Sequence, residues 1–245
     1  MAEATSFEGA FDMHEQLLSL ADAGDFEEAA MLAEQHPKLL AEEDSYGERS
    51  CIFHHAIRSM SGTDAEYART LCRLLVKAGI PPDTPDLVKS LRDQVSPFFT
   101  ALDALSGSDL KDALSFLVEL GADLSAAQRN GDPLLHRVAA RGDVDLVCFL
   151  ITELDVDPEC TDSGCRTILD HAVVECHLDM VRTLEKLVPG LAGVADGNGR
   201  SLRMRYEGSA AVRYAAGSET AKQIAQILFP HCLPSSDGDS TKPSR

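Results

Sequence analysis

The chain has 245 residues, of which 44% are apolar and 5% aromatic, with no Trp. This composition suits one large domain or a repeat array, and it predicts a helical core made mainly of Leu, Val, Ile and Ala. The net charge of −18 repels phosphate backbones and anionic lipid surfaces, so it argues against nucleic acid and membranes as ligands. It favours a basic protein partner, although an excess of Asp and Glu also simply keeps a large helical surface soluble.

Cysteine usage and the N-terminal residues predict an intracellular protein. The seven cysteines are an odd number without the spacing of a disulfide framework, so we expect reduced thiols. Glu3, Glu8 and Asp12 stand where a signal peptide needs positive charge, and no stretch approaches the roughly 18 apolar residues of a membrane span. We therefore expect a cytoplasmic or nuclear protein with a flexible segment over residues 1–11.

Two helical units are predicted in the first third of the chain. Residues 17–40 contain two apolar stretches separated by Gly24 and Asp25, which indicates a first unit over residues 12–43 that caps the N-terminal end. A second unit, over residues 44–82, opens at Asp44 and Gly47. Its two helices carry the small and apolar residues Phe53, Ala56, Ile57, Leu74 and Leu75.

A third unit follows an insertion over residues 79–95 and is predicted to occupy residues 92–126. Ser96 and Pro97 open its first helix, because Pro is tolerated at a first-turn position where its missing N–H costs nothing. The string from Leu117 to Leu124 (LVELGADL) closes the unit.

The clearest unit is predicted over residues 127–159. Its sequence from Asn130 reads NGDPLLHRVAARGDVDLVCFL, which divides into a Gly-containing turn, a short helix over 134–141, a break at Gly142 and a second helix from Val144. Each helix has apolar residues at helical i, i+3, i+4 spacing on one side. Each helix therefore needs a neighbour to cover it.

Two further units and a tail complete the chain. The fifth unit, over residues 160–195, repeats the pattern with one extra residue before Thr167 and with Cys176 at the inter-helix Gly position. The sixth, over 196–232, is expected to begin at the turn 196–199, to carry a charged insert over 200–208, and to place Tyr214, Ala215 and Ala216 in its first helix. Residues 233–245 lack an apolar anchor and are expected to be disordered.

The repeating pattern resembles the ankyrin repeat, whose period is about 33 residues. In the clearest unit the matching residues are Gly131, Leu135, His136, Ala139, Gly142, Val147, Leu150 and Ile151. The resemblance implies an all-α solenoid of about six stacked helix-turn-helix units joined by hairpin-like turns, and another helical solenoid is the alternative. It also implies that His54 and His136 hydrogen-bond the backbone of an adjoining turn.

Several cysteines and histidines are candidate catalytic or metal-binding residues. Five residues of types that bind zinc lie close together in the sequence: Cys160, Cys165, His171, Cys176 and His177. In a helix that starts at Thr167, Cys176 lies about 13 Å further along the axis, at about 1.5 Å per residue. These residues cannot all reach one ion, so we predict neither a metal nor another cofactor. Cys51 with His54 and His55 leaves open a thiol or Cys/His-dependent enzyme as an alternative function.

The resemblance implies a non-catalytic protein-binding module, an adaptor, inhibitor or assembly factor that holds a protein partner on a concave surface. The alternatives are the thiol enzyme and a structural subunit of a larger complex, and the oligomeric state stays open. By the same resemblance, contact residues flank the repeat-opening Gly and the exposed end of the first helix. In this sequence they are Arg129, Asn130, Asp132, Ala140, Arg141, Asp162, Ser163, Cys165, Val174, Glu175, Glu48, Arg58, Ser59, Asp103, Asn198 and Arg200.

Overall fold

A computed structural model describes residues 2–40, 48–85, 95–126, 128–129, 132–208 and 219–229. Within these residues there are thirteen α-helices and one two-stranded antiparallel hairpin. The helices are α1 Ala2–Ala23, α2 Phe26–Gln35, α3 Pro37–Leu40, α4 Glu48–Arg58, α5 Ala65–Lys77, α6 Pro97–Ala104, α7 Gly107–Glu119, α8 Leu134–Arg141, α9 Val144–Thr152, α10 Ile168–Val174, α11 Leu178–Leu187, α12 Leu202–Gly208 and α13 Glu219–Leu228. The strands are β1 Gln128–Arg129 and β2 Asp132–Pro133, and short 3₁₀ turns lie at Gly62–Asp64, Leu124–Ala126 and Leu191–Gly193.

The all-helical prediction is confirmed, and from α1 to α11, apart from α3, the helices follow one another in pairs. The pairs are α1 with α2, α4 with α5, α6 with α7, α8 with α9, and α10 with α11. Helices α12 and α13 are separated by residues 209–218, which lie outside the described residues. In the part of the chain that the structure describes, no helix is both long enough and apolar enough to cross a membrane.

The chain divides into two compact units, of which the first comprises residues 1–134 and 149–156. In this unit α4 packs between α1 and α6, and α2 packs against α5. Leu17, Phe53 and Phe98 from the three first helices are at most 1% exposed. The helix ends follow local chemistry, since the Asp25 carboxylate accepts the Glu28 N–H to cap α2, and Pro97 takes the first position of α6 after Ser96.

The second compact unit comprises residues 135–148 and 157–245. Helix α10 packs against α11 and α12, and α11 packs against α13. Its core contains Val138, Leu169, Val181 and Ile224, all fully buried. Thr167 and Asp170 form a reciprocal capping box at the start of α10, which satisfies backbone donors that the first helical turn leaves unpaired.

The structure shows helices in two segments where the sequence did not predict them. The expected flexible segment over residues 1–11 is helical from Ala2 onward, as part of α1. The expected charged insert over residues 200–208 contains α12, because Leu202 and Tyr206 are spaced by four residues and are buried on one helix face. Tyr214, Ala215, Ala216 and the predicted tail 233–245 lie outside the described residues.

Candidate binding surface

The β1–β2 hairpin precedes α8, as the repeat pattern requires. Arg129 pairs with Asp132, and Gln128 pairs with Pro133. Asp132 is half-buried, and Asn130 lies outside the described residues. The hairpin therefore places the backbones of the candidate residues Arg129 and Asp132 directly opposite each other.

The turn before α10 is organised around the buried carboxylate of Asp162. Its Oδ1 accepts the backbone N–H groups of Gly164 and Arg166 at 2.8 and 2.9 Å. Its Oδ2 accepts Nε and Nη2 of Arg166 at 2.8 and 2.7 Å and lies 3.0 Å from Nε2 of His171. Burial by itself raises the pKa of Asp162, but these hydrogen bonds and the Arg166 charge hold that pKa well below its usual range.

The turn before α12 repeats this geometry 34 residues later. Oδ1 of Asp196 accepts the N–H groups of Asn198 and Arg200 at 2.9 and 2.8 Å, and Oδ2 accepts Nε and Nη2 of Arg200, both at 2.8 Å. Burial raises the pKa of Asp196, but its hydrogen bonds with Arg200 and Asn198 lower that pKa by a larger amount, so the net shift is downward. The sequence pattern Asp-x-x-x-Arg in both turns is the signal that would have identified this pair.

A backbone hydrogen bond joins the two turn tips. The N–H of Gly197 donates to the carbonyl oxygen of Gly164 at 3.1 Å. Around it the candidate residues Ser163, Cys165, Asn198 and Arg200 are all exposed. Asp162 was predicted to be a contact residue at the surface. Its side chain is instead 0% exposed and forms its hydrogen bonds within the turn.

Two buried histidines hydrogen-bond the backbone of adjoining turns, as the resemblance implies. Nε2 of His54 lies 2.9 Å from the carbonyl oxygen of Thr84, and Nε2 of His136 lies 2.9 Å from that of Arg166. Both side chains are fully buried. These histidines therefore connect a first helix to a neighbouring turn and are not available to a ligand.

The remaining candidate residues lie at helix ends. Three of them are exposed, namely Arg141, Glu175 and Asp103. Four are half-buried, namely Ala140, Val174, Arg58 and Ser59. Glu48 is the first residue of α4. The carbonyl oxygen of Ala140 accepts a hydrogen bond from Nε2 of His177 at 2.9 Å. Only the side chain of Ala140 therefore remains for contact with a partner.

The predicted thiol residues lie in different surroundings. Cys51 is buried, and Cys165 lies in an exposed turn. The structure instead places Sγ of Cys160 4.0 Å from Nδ1 of His136, a pair that sequence reasoning missed. Burial and the charge of Asp157 raise the pKa of Cys160 to about 11, so its reactive thiolate is scarce at neutral pH. Among the described residues, no group of three or more His, Cys, Asp or Glu side chains is arranged to hold a metal ion.

Comparisons with known proteins agree with this architecture. A family model described as ankyrin repeats in many copies matches residues 102–151. Among solved structures, the ankyrin repeat domain of Bcl-3, a member of the IκB protein family, is similar with a TM-score of 0.61 and 22% identity, over 90% of this chain and 87% of that one. The ankyrin repeat protein EF0377 is similar with a TM-score of 0.58 and 20% identity, over 86% of this chain and 96% of that one. No curated protein matches the sequence.

Proposed function

We propose that this chain, which has the ankyrin-repeat fold, binds a protein partner through its turn tips and the exposed ends of its first helices, and that it is not a catalyst. Ankyrin repeats are in general protein–protein interaction modules. An adaptor, an inhibitor and an assembly factor all work by such binding. A structural subunit of a larger complex would use the same surfaces.

The observation that carries the proposal is the pair of rigid turn tips before α10 and α12. Each tip is fixed by a buried carboxylate that accepts two backbone N–H groups and two guanidinium N–H groups. A surface that is already ordered loses little conformational entropy when it binds, which favours affinity. Exposed polar side chains on such fixed loops are suited to recognition.

The chemistry of the thiols supports binding over catalysis. An activated cysteine needs a lowered pKa and access to solvent. Burial raises the pKa of Cys160 to about 11 and also raises that of Cys72. The cysteines among the described residues are free of disulfides, which supports a reducing compartment such as the cytoplasm or nucleus. Cell fractionation with an antibody to the chain tests that location.

Affinity capture with the full chain tests the proposed function. Tagged protein is incubated with extract of its own cells, cross-linked, and analysed by mass spectrometry, beside a variant carrying Arg141→Glu and Asn198→Glu. Both positions are exposed at predicted contact sites. The control is Arg182→Glu on α11, which is 48% exposed.

We expect specific proteins to be retained by the wild type and the control and lost by the double variant. Retention of no protein above background by the wild type would remove the proposal. Measurement of the mass of the purified chain in solution separates a self-assembling structural subunit from a module that binds another protein.

A further inference from the structure

We propose that the joined turn tips before α10 and α12 recognise an acidic peptide segment of the partner, whose carboxylates bind the guanidinium groups of Arg166 and Arg200. This inference rests on the proposed function and specifies the chemistry of the partner. We call this surface the basic ridge. It consists of residues 163–166 and 197–201 together with Arg203.

The charge that the basic ridge exposes is opposite to that of the whole chain. The chain carries a net charge of −18, yet the charged side chains that reach solvent on the ridge are all arginines. Arg166 is 43% exposed and Arg200 is 56% exposed, whereas Asp162 and Asp196 are 0% and 1% exposed. Since both carboxylates lie inside the turns, an approaching ligand meets guanidinium groups first.

The geometry of each guanidinium leaves a fork of N–H groups for a ligand. Arginine has five N–H donors, and in both turns Nε and Nη2 are bound to the buried carboxylate. The other edge of each guanidinium group, formed by Nη1 and the second Nη2 hydrogen, is therefore directed away from the carboxylate. Two parallel N–H groups on one planar edge match the two oxygens of a carboxylate. Because each side chain is already held, little rotamer entropy is lost on binding.

Two such forks lie on neighbouring tips that are fixed to each other. The Gly197 N–H donates to the Gly164 carbonyl oxygen at 3.1 Å, and α10 packs against α12. Packed helices are typically about 8–10 Å apart, which an extended peptide spans in about three residues. We therefore expect a segment with acidic residues two or three positions apart to reach both arginines at once.

Charge screening favours a short acidic peptide over nucleic acid. At physiological ionic strength charges are screened beyond about 8 Å, so contacts on the ridge outweigh the overall negative charge for a short segment. A nucleic acid duplex carries one negative charge per roughly 1.7 Å and extends beyond the ridge, where the acidic remainder of the chain repels it.

Selection from a displayed library of random 16-residue peptides on the full-length chain tests the proposal. The same selection is run on Arg203→Gln and on the pair Arg166→Lys with Arg200→Lys. The lysine pair keeps a positive charge beside each buried carboxylate but removes the fork. Arg182→Gln, an exposed arginine on α11, is the matched control, and thermal unfolding verifies that every variant folds.

We expect the wild type and the control to enrich peptides with paired Asp or Glu residues. A synthetic peptide of the enriched sequence should bind the lysine pair roughly tenfold more weakly, and its affinity for the wild type should fall with added salt. Enrichment of basic or neutral peptides, equal affinity for the ridge variants, or tighter binding of a DNA duplex than of the acidic peptide would each overturn the inference. If cell extract yields a specific partner but these peptide results fail, only the acidic specificity is wrong and the proposed function stands.

Discussion

Asp170 on α10 and Arg205 on α12 form an ion pair whose side chains are only 2% and 6% exposed. Oδ2 of Asp170 also accepts the N–H and the hydroxyl of Thr167, at 2.8 and 3.1 Å. Arg205 further donates to the carbonyl oxygens of Arg200 and Val194. Both charges are therefore hydrogen-bonded where two consecutive first helices meet.

Breaking this pair should strongly destabilise the second compact unit. Replacing Arg205 by Met leaves the Asp170 carboxylate buried without a countercharge, which typically costs about 3–5 kcal/mol. Urea unfolding followed by circular dichroism measures the loss. The double variant Asp170→Leu with Arg205→Met should recover most of it, because no buried charge remains.

The exposed pair of Asp179 and Arg182 is the control for that experiment. Its side chains are 85% and 48% exposed, so Arg182→Met should change the unfolding free energy by less than about 1 kcal/mol. An equally small effect for Arg205→Met would show that the buried pair does not stabilise the unit.

Gly142→Ala should destabilise the chain through a steric clash and backbone strain together. Gly142 has a φ of +75°, and an added Cβ would lie 2.7 Å from Nδ1 of His177. The His177 ring is held by its contact with the Ala140 carbonyl oxygen, so it cannot easily move away. We expect a loss of about 2 kcal/mol or more in urea unfolding.

Two other glycines of the same compact unit separate the two causes. Gly190 has a φ of +118° with open space around it, so Gly190→Ala reports strain alone, and Gly193 has open space without a positive φ, so Gly193→Ala should be nearly neutral. If Gly142→Ala costs no more than Gly190→Ala, the clash with His177 is not real.

Acid pH should remove the stabilisation that Asp162 provides. Because the pKa of Asp162 is lower in the folded state than its unfolded value of about 3.9, its contribution is complete above that value and declines as pH falls through the folded pKa. The difference in unfolding free energy between the wild type and Asp162→Asn should therefore be largest near pH 6 and should shrink below about pH 4. Urea titrations at several pH values measure it, and a difference that stays constant down to pH 2 would contradict the assignment.

Alkylation should distinguish the cysteines by their surroundings. Cys165 is exposed, whereas burial raises the pKa of Cys160 to about 11 and raises that of Cys72. Brief treatment with iodoacetamide at pH 7.5, followed by peptide mapping, should modify Cys165 first and leave Cys160 and Cys72 largely unmodified. Protein unfolded in urea is the control, in which all three should react. Rapid modification of Cys160 in the folded chain would revive the thiol-enzyme alternative.

Local sequence signals account for much of the fold. Some features depend only on periodicity and backbone conformation within a few residues, so they could be predicted from the sequence. They are the helix over residues 134–141, the break at Gly142 and the helix start at Pro97. Helix α12 was not predicted, because its segment contains Arg203 and Arg205 and was interpreted as a charged insert. Its Arg205 becomes acceptable in a buried position only through Asp170, 35 residues earlier.

The recurrence of apolar stripes in short helices was predictable from the linear chain, since side-chain periodicity is a property of each segment alone. Which polar residues of the turns face inward became clear only in the folded protein. Asp162 and Arg166 lie in the same turn and look equally exposed in the sequence, yet the carboxylate is enclosed by backbone donors and the guanidinium reaches solvent. Burial of a charge depends on partners that the folded chain brings together, and a linear pattern does not contain that information.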